Sequence, residues 1–161
     1  MSGVTVPPAF GTSTFFRRYS AMPGPTPRLW AVENRHDEVV RKVLELGDID
    51  PNISDTESGR TPLSLAVING SERIVRILLE RDDTNPNLPD AESEQIPLSF
   101  AAENGYEVIL RLLLEREDTN PNTFDISSYQ SPLAIAAEKG YEGMVKLLLE
   151  RGANPNTQYA H

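Results

Sequence analysis

The residues of this sequence that could support chemistry are few, and their spacing argues against catalysis. None of the 161 residues is cysteine and two are histidine, His36 and His161, which excludes thiolate nucleophiles, cysteine–zinc sites and histidine metal clusters. With a single internal histidine, a Ser-His-Asp arrangement has little support. No glycine-rich phosphate loop occurs. The sequence therefore predicts no enzyme, no metal and no cofactor.

One segment imitates a calcium-binding loop. Asp83, Asn85, Asn87 and Glu94 echo the ligand spacing of an EF-hand. The position that needs a turn glycine is Leu88, and prolines on either side restrict the chain. We therefore expect no calcium site here.

Net charge limits the classes of partner. The formal charge is −9 and the pI is near 4.7, which disfavours direct binding of nucleic acid or of anionic membranes, since both need clustered cations. No apolar run is long enough to span a membrane, and the first residues lack a secretory core. These features predict a cytoplasmic or nuclear location.

The segment 1–25 differs from the rest and is predicted to be a disordered tail. It is rich in Pro, Gly, Ser and Thr and contains no acidic residue. Its Arg17-Arg18-Tyr19-Ser20 fits a basophilic kinase site at Ser20, and equally a mitochondrial presequence cleaved before Ser20. An inert linker is the third interpretation, and the one we favour.

The chain downstream of this tail is repetitive. Proline, alanine and glycine recur at a spacing of 35 residues: Pro62, Pro97 and Pro132; Ala66, Ala101 and Ala136; Gly70, Gly105 and Gly140. Pro27 and Ala31 continue the register into a fourth, degenerate copy. Fixed spacing of this length predicts a solenoid of stacked units.

Each copy is predicted to contain two short helices and a projecting loop. Thr61-Pro62 is typical of a helix start, and the third copy, which has Ile96 instead, should have a weaker cap. The first helix should stop at Gly70. A second helix is indicated by apolar residues at helical spacing, as in Ile74, Val75, Leu78 and Leu79.

This pattern resembles the ankyrin repeat, whose first helix begins T-P-L-H-x-A. The resemblance implies four stacked repeats over 26–156, each a helix-turn-helix with a β-hairpin finger, at about 26–60, 61–95, 96–130 and 131–156, followed by a tail over 157–161. The consensus histidine is Ser64, Ser99 or Ala134 here, which predicts an array less stable than a consensus one. The NPN loops resemble those of filamentous fungi.

Proteins similar to this one bind another protein through the finger tips and the concave face of the first helices. By position, the fingers hold Thr56, Glu57, Ser58 and Arg60; Ala91, Glu92, Ser93, Glu94 and Gln95; and Ile126, Ser127, Ser128, Tyr129 and Gln130. Their variety indicates either a specific contact surface or relaxed constraint on loops. Arg60 and Tyr129 are the expected anchors, because Arg and Tyr dominate binding hot spots.

Two further features remain open between binding and structure. Trp30, Leu65, Phe100 and Ile135 recur at one helix position; we favour packing, with Trp30 and Phe100 kept as candidate contacts. The acidic loops (Asp48, Asp50, Asp82, Asp83, Glu117 and Asp118) form either an edge for a basic partner or a solvated face.

The two ends of the array differ. The first copy carries polar substitutions, as a terminal cap should, whereas Met144, Val145 and Leu148 make the fourth resemble an internal copy. An exposed apolar end favours self-association or further repeats. The expected function is a regulatory or scaffolding interaction module; the alternatives are an oligomerising or recognition fragment of a larger fungal protein, or a transcription co-regulator.

Overall fold

A computed structural model describes residues 27–45, 50–54, 59–91, 93–126 and 128–156. The predicted tails over 1–25 and 157–161, with Ser20, lie outside these ranges, as do Asp48, Glu92, Ser127 and the first finger's tip, 55–58. The helices are α1 Pro27–Glu33, α2 Asp37–Glu45, α3 Pro62–Ile68, α4 Glu72–Leu79, α5 Pro97–Asn104, α6 Glu107–Glu115, α7 Pro132–Glu138 and α8 Glu142–Glu150.

These helices form four pairs, α1–α2, α3–α4, α5–α6 and α7–α8, and each pair packs on the next. The described part of the chain is all helical, which confirms a repeat solenoid. It contains no β-strand, so the predicted β-hairpin fingers are not confirmed. None of the helices in these ranges is long and apolar enough to cross a membrane.

The first helices of the second and fourth pairs begin at a hydroxyl N-cap. Thr61 Oγ1 accepts a hydrogen bond from the Ser64 amide at 3.1 Å, and Ser131 Oγ accepts one from the Ala134 amide at 3.2 Å. Ile96 provides no side-chain cap, which confirms the weaker third cap. The buried Ser99 hydroxyl then has no hydrogen-bond partner.

We expect Thr61→Val to destabilise the chain by about 1 kcal/mol, because the substitution keeps the volume and removes the N-cap acceptor. Amide exchange at Ser64 should accelerate. In the control Ile96→Val no cap is lost, so exchange at Ser99 should stay as it is in the wild type. Hydrogen exchange followed by NMR measures both, and unchanged protection at Ser64 would show that the Thr61 hydroxyl does not cap the helix.

Stacking of the pairs creates the core, since helices of seven to nine residues are too short to persist alone in water. The apolar faces of successive pairs meet in one continuous cluster. Ala66, Ala101 and Ala136 are fully buried. Small side chains at these positions let neighbouring first helices approach closely.

Arginines after the second helix tie each pair to the one before it. Their guanidinium groups donate to carbonyl oxygens near the end of the preceding second helix: Arg81 to Leu44, Arg116 to Leu79 and Arg151 to Leu114. A helix leaves its last carbonyl groups without internal partners. The arginine satisfies such a group and opposes the negative end of the helix dipole.

A second set of hydrogen bonds, an asparagine ladder, joins the loops that follow the second helices of neighbouring pairs. Asn87 Nδ2 donates to the Asp118 carbonyl at 2.7 Å, while Asn87 Oδ1 accepts from the Asn120 amide at 2.8 Å. Asn52 and Asn122 make the same two contacts one repeat earlier and one repeat later. Each side-chain amide thus replaces a pair of backbone hydrogen bonds and fixes the register of neighbouring loops.

Candidate functional site

The fingers share one backbone turn. In the second finger the Asp90 amide donates to the Gln95 carbonyl at 2.8 Å and the Glu94 amide to the Asp90 carbonyl at 2.7 Å. The third finger repeats both bonds between Asp125, Tyr129 and Gln130. Gly59, Glu94 and Tyr129 occupy the same position with φ of 65°, 56° and 56°. The left-handed conformation suits glycine and strains the other two residues.

Buried aspartates hold the fingers together at their bases, and sequence reasoning missed them. Asp90 and Asp125 are both fully buried. Asp90 accepts from the Ser93 amide at 2.9 Å and from Arg60 Nε at 3.1 Å. The only sequence signal was that Asp90 and Asp125 lie 35 residues apart inside otherwise variable loops.

Arg60 and Gln95 therefore contact the chain itself. Arg60 reaches the base of the second finger, and Gln95 Nε2 reaches Asp125 Oδ2 in the third at 3.0 Å. Each side chain thus links its own finger to the next one. Since a buried carboxylate needs a partner, the first role of both residues is to position the fingers.

Gln95 and Gln130 also bind acidic residues on the first helices. Gln95 Nε2 lies 3.0 Å from Glu103 Oε2, and Gln130 Nε2 lies 2.9 Å from Glu138 Oε2. These contacts hold each finger against the helix that follows it. They place a carboxylate beside the finger on the helix α5 and helix α7 surfaces.

One position of the first helices is held in turn by Trp30, Leu65, Phe100 and Ile135. These four side chains differ in solvent exposure. Ile135 is buried, and Leu65 and Phe100 are partly buried against the core. Trp30, in the first pair, is 55% exposed and its ring lies 6.4 Å from that of His36. Three of the four side chains therefore pack between neighbouring helices, and Trp30 stands at the outer end.

The third finger presents apolar side chains to solvent. Ile126 is 52% exposed and Tyr129 is 51% exposed, three residues apart in one turn. The equivalent positions of the second finger are Ala91 and Glu94, which are also exposed but small or charged. An aliphatic and an aromatic side chain held outward by a strained turn can enter a pocket on another molecule.

Arginine pairs partly neutralise the acidic loops. Arg81 and Arg116 each form a salt bridge with the aspartate two residues further along the chain. The Nη2–Oδ2 distance is 2.6 Å to Asp83 and 2.7 Å to Asp118. Hydrogen bonding from the guanidinium lowers the pKa of Asp83 and of Asp118 below the ordinary carboxyl value. These two carboxylates are paired with arginines of their own loops, so they contribute little negative charge to a surface for a basic partner.

The lowered pKa of Asp118 gives a pH dependence with a defined sign. A depressed carboxyl pKa stabilises the fold above the unfolded value of about 3.9, and that contribution is lost as pH falls through the folded value. We expect Asp118→Asn to lower the urea midpoint at pH 7, with the difference from wild type shrinking below about pH 4. A difference that stays constant down to pH 2.5 would contradict this assignment.

Other polar motifs of the sequence are absorbed by the scaffold. Asn52-Ile53-Ser54 and Asn69-Gly70-Ser71 have the spacing of glycosylation sequons. The side-chain amide nitrogen of Asn52 donates to the Asp83 carbonyl, and that of Asn69 is buried. Asn85 and Asn87 of the calcium-like segment bond to backbone amides. Within the described ranges no three His, Cys, Asp or Glu side chains lie close enough together to hold a metal ion.

Comparison with known proteins agrees with this architecture. A family model described as ankyrin repeats (3 copies) matches residues 13–90 and 83–159. A search of curated proteins finds no matching relative.

Proposed function

Because the chain belongs to the ankyrin-repeat family, whose members are generally protein-interaction modules and typically not enzymes, we propose that it binds a protein partner through its fingers and first helices. The four helix pairs act in this proposal as four repeats, with the finger turns projecting from their joints. The module is regulatory or scaffolding, and binding is reversible.

The observation that carries this proposal is the third finger. Its Ile126 and Tyr129 are 52% and 51% exposed, whereas Arg60 and Gln95 bridge successive fingers. Tyr129 also keeps a left-handed backbone at φ 56°, where glycine would be unstrained. Unfavourable backbone conformations persist where surrounding structure enforces them, and they cluster at binding sites.

The other candidate residues contribute in two ways. Arg60, Gln95 and Gln130 act mainly as positioning residues through their contacts with Asp90, Asp125 and Glu138. Glu94 offers an exposed charge beside the anchor. Trp30 and the accessible part of Phe100 extend the surface along the first helices.

Partner chemistry follows from the carboxylates on and beside the fingers. Glu94 is exposed, and the carboxylates of Glu103 and Glu138 lie beside the fingers. A partner that offers an apolar pocket for Tyr129 with basic residues at its rim would complement this surface. Salt should then weaken the association, mainly by slowing its formation.

Tyr129→Gly tests the anchor while it relieves the backbone strain. The substitution removes a half-exposed aromatic ring and relieves the positive φ, and because these effects have opposite signs the free energy of unfolding should change by less than about 1 kcal/mol. Glu94→Gly, at the same position of the second finger, is the matched comparison: it relieves the same backbone strain and removes a rim charge, whose loss costs much less binding free energy than the loss of an aromatic anchor. The full chain, immobilised and exposed to an extract of its source cells, should capture a partner that Tyr129→Gly loses and Glu94→Gly retains.

Binding constants for the captured protein then decide the role of the ring. We expect Tyr129→Gly to weaken binding at least tenfold, a loss of about 1.4 kcal/mol. Equal affinity of wild type and Tyr129→Gly would remove the third finger from the interface.

A further inference from the structure

We propose that segment 15–19 of the chain's own N-terminal tail, Phe-Phe-Arg-Arg-Tyr, docks on the first-helix face and occupies it until a partner binds. This face comprises Trp30, Leu65, Ile68, Phe100, Glu103 and Glu138. The inference rests on the proposed function for the choice of surface, because a partner would bind the same face. In it the tail is a tethered ligand instead of the linker that its composition suggested.

Helical spacing places the members of the face on one side of the first helices. Phe100 and Glu103 are three residues apart on α5, as Leu65 and Ile68 are on α3, and residues at this spacing project from the same side of a helix. Leu65, Ile68 and Phe100 are half-buried, and Trp30 is exposed. The face therefore offers accessible apolar surface from α1 to α5.

The carboxylates on and beside this face carry negative charge that no basic residue compensates. Glu94, Glu103 and Glu138 are exposed. Glu103 and Glu138 accept hydrogen bonds from the neutral amides of Gln95 and Gln130. In the part of the chain that the structure describes, none of the three glutamates forms an ion pair, whereas the loop aspartates have arginine partners. A cationic ligand should therefore bind at this face and not at the loops.

The tail has the complementary charge and side chains. All 24 acidic residues lie after residue 25, so Arg17 and Arg18 have no acidic neighbour within the tail. Phe15, Phe16 and Tyr19 flank them. A guanidinium can bind a carboxylate through two parallel hydrogen bonds, and the aromatic rings can cover the apolar part of the face.

The tail is long enough to reach these groups. Helix α1 begins at Pro27 and contacts α3, which contacts α5. Packed helices lie about 8–10 Å apart, so α5 is about 20 Å from α1. Arg18 precedes Pro27 by nine residues, which span up to about 30 Å when extended. The exposed Lys139, directly after α7, would repel the arginines, so Glu94 and Glu103 are the expected partners.

Docking of a tethered segment would compete with a partner for the same face. A segment joined to its own site acts at an effective concentration on the order of millimolar, so weak contacts are enough to keep it bound. A partner then binds only those molecules whose face is open, and its apparent affinity falls in proportion. We therefore expect the tail to lower the affinity of the proposed interaction.

Paramagnetic relaxation in the full chain tests docking without any partner. The sequence has no cysteine, so Thr14→Cys provides a single site for a nitroxide label next to the segment. Amide signals of α5 should broaden more than those of α6, the other helix of the same pair. Arg17→Glu combined with Arg18→Glu should remove this difference, and both positions lie before the first helix, where the substitutions leave the packing of the pairs intact.

Exchange of charge identifies the contact. In the labelled chain with Arg17→Glu and Arg18→Glu, the pair Glu94→Arg and Glu103→Arg should restore the broadening of α5. The matched control is the pair Glu115→Arg and Glu117→Arg, since both glutamates are exposed outside the first-helix face and the change in net charge is the same. This pair should restore nothing, and urea midpoints check that all variants are folded.

A captured partner reports the competition. Phe15→Ala with Phe16→Ala leaves the net charge unchanged, and it should raise the affinity for the partner at least about twofold, as expected when the face is docked for half of the time. Docking in the labelled chain with an unchanged partner affinity would show that the partner binds elsewhere, which would overturn the competition and the proposed surface but not the docking.

Three results would overturn the docking itself. The first is equal broadening of α5 and α6 in the labelled chain. The second is broadening of α5 that persists after Arg17→Glu and Arg18→Glu. The third is equal broadening in an isotope-labelled chain without nitroxide that is mixed with nitroxide-labelled chains, which would make a second copy the source of the tail.

Discussion

Arg116→Met should cost about 3 kcal/mol of unfolding free energy, the largest loss we expect from any single polar substitution. The Arg116 guanidinium donates to the carbonyls of Leu79, Arg81, Asp82 and Thr84 at 2.7–3.3 Å and pairs with Asp118. Its side chain is 18% exposed. Methionine keeps the apolar stem and leaves a cluster of loop carbonyls without a donor.

Urea unfolding followed by circular dichroism measures this loss. Arg111→Met is the control, since Arg111 forms an exposed pair with Glu107 at 3.2 Å on one helix, and such a pair contributes at most about 0.5 kcal/mol. Arg116→Lys should be nearly as damaging as Arg116→Met, because an ammonium cannot span several acceptors as a planar fork does. Similar stabilities for the Arg111 and Arg116 variants would mean that the hydrogen bonds of Arg116 to the preceding loop contribute little to the free energy of unfolding.

Ala102→Leu should destabilise the fold by about 1–3 kcal/mol, whereas Ala137→Leu should change it by less than about 0.5 kcal/mol. The two alanines lie 35 residues apart on equivalent helices. Ala102 is fully buried beneath the fourth pair, and Ala137 is exposed on the outer surface of the fourth pair. Adding the same side chain therefore overpacks one joint and extends into solvent at the other.

Thermal and urea denaturation of both variants provide the measurement. The comparison is strict, because residue type, helix position and the atoms added are the same and only the neighbouring pair differs. Equal destabilisation by the two substitutions would mean that the outer surface of the fourth pair is covered in solution, and would argue for association through that surface.

Local chemistry in the sequence predicted most of the helical framework. The proline–glycine spacing located the first helices, and the observed caps at Thr61 and Ser131 follow from hydroxyls placed before proline. The left-handed turn at Gly59, Glu94 and Tyr129 was also predictable, since one glycine among aligned residues marks the conformation. A repeat allows this because each copy reports on the backbone of the others.

Contacts between side chains of different repeats were harder to predict from the sequence. Arg60 was predicted as an anchor for a partner; that it also binds the buried Asp90, 30 residues away, was not predicted. The hydrogen bonds of Arg116 to the preceding loop were not predicted at all. A basic side chain in a variable loop has the same local pattern whether it meets solvent, a partner or the next finger.

The sequence by itself determined the period, because the copies repeat it directly. It also determined the helix pairs, their caps and the turn geometry, because these depend on residues within a few positions of one another. Only the tertiary structure decided which polar side chains hold the fingers together, which of two equivalent alanines is buried, and which apolar residues remain exposed at Tyr129 and Leu149. Burial is a property of what stacks against a residue, and identical local patterns acquire different environments once the pairs are stacked.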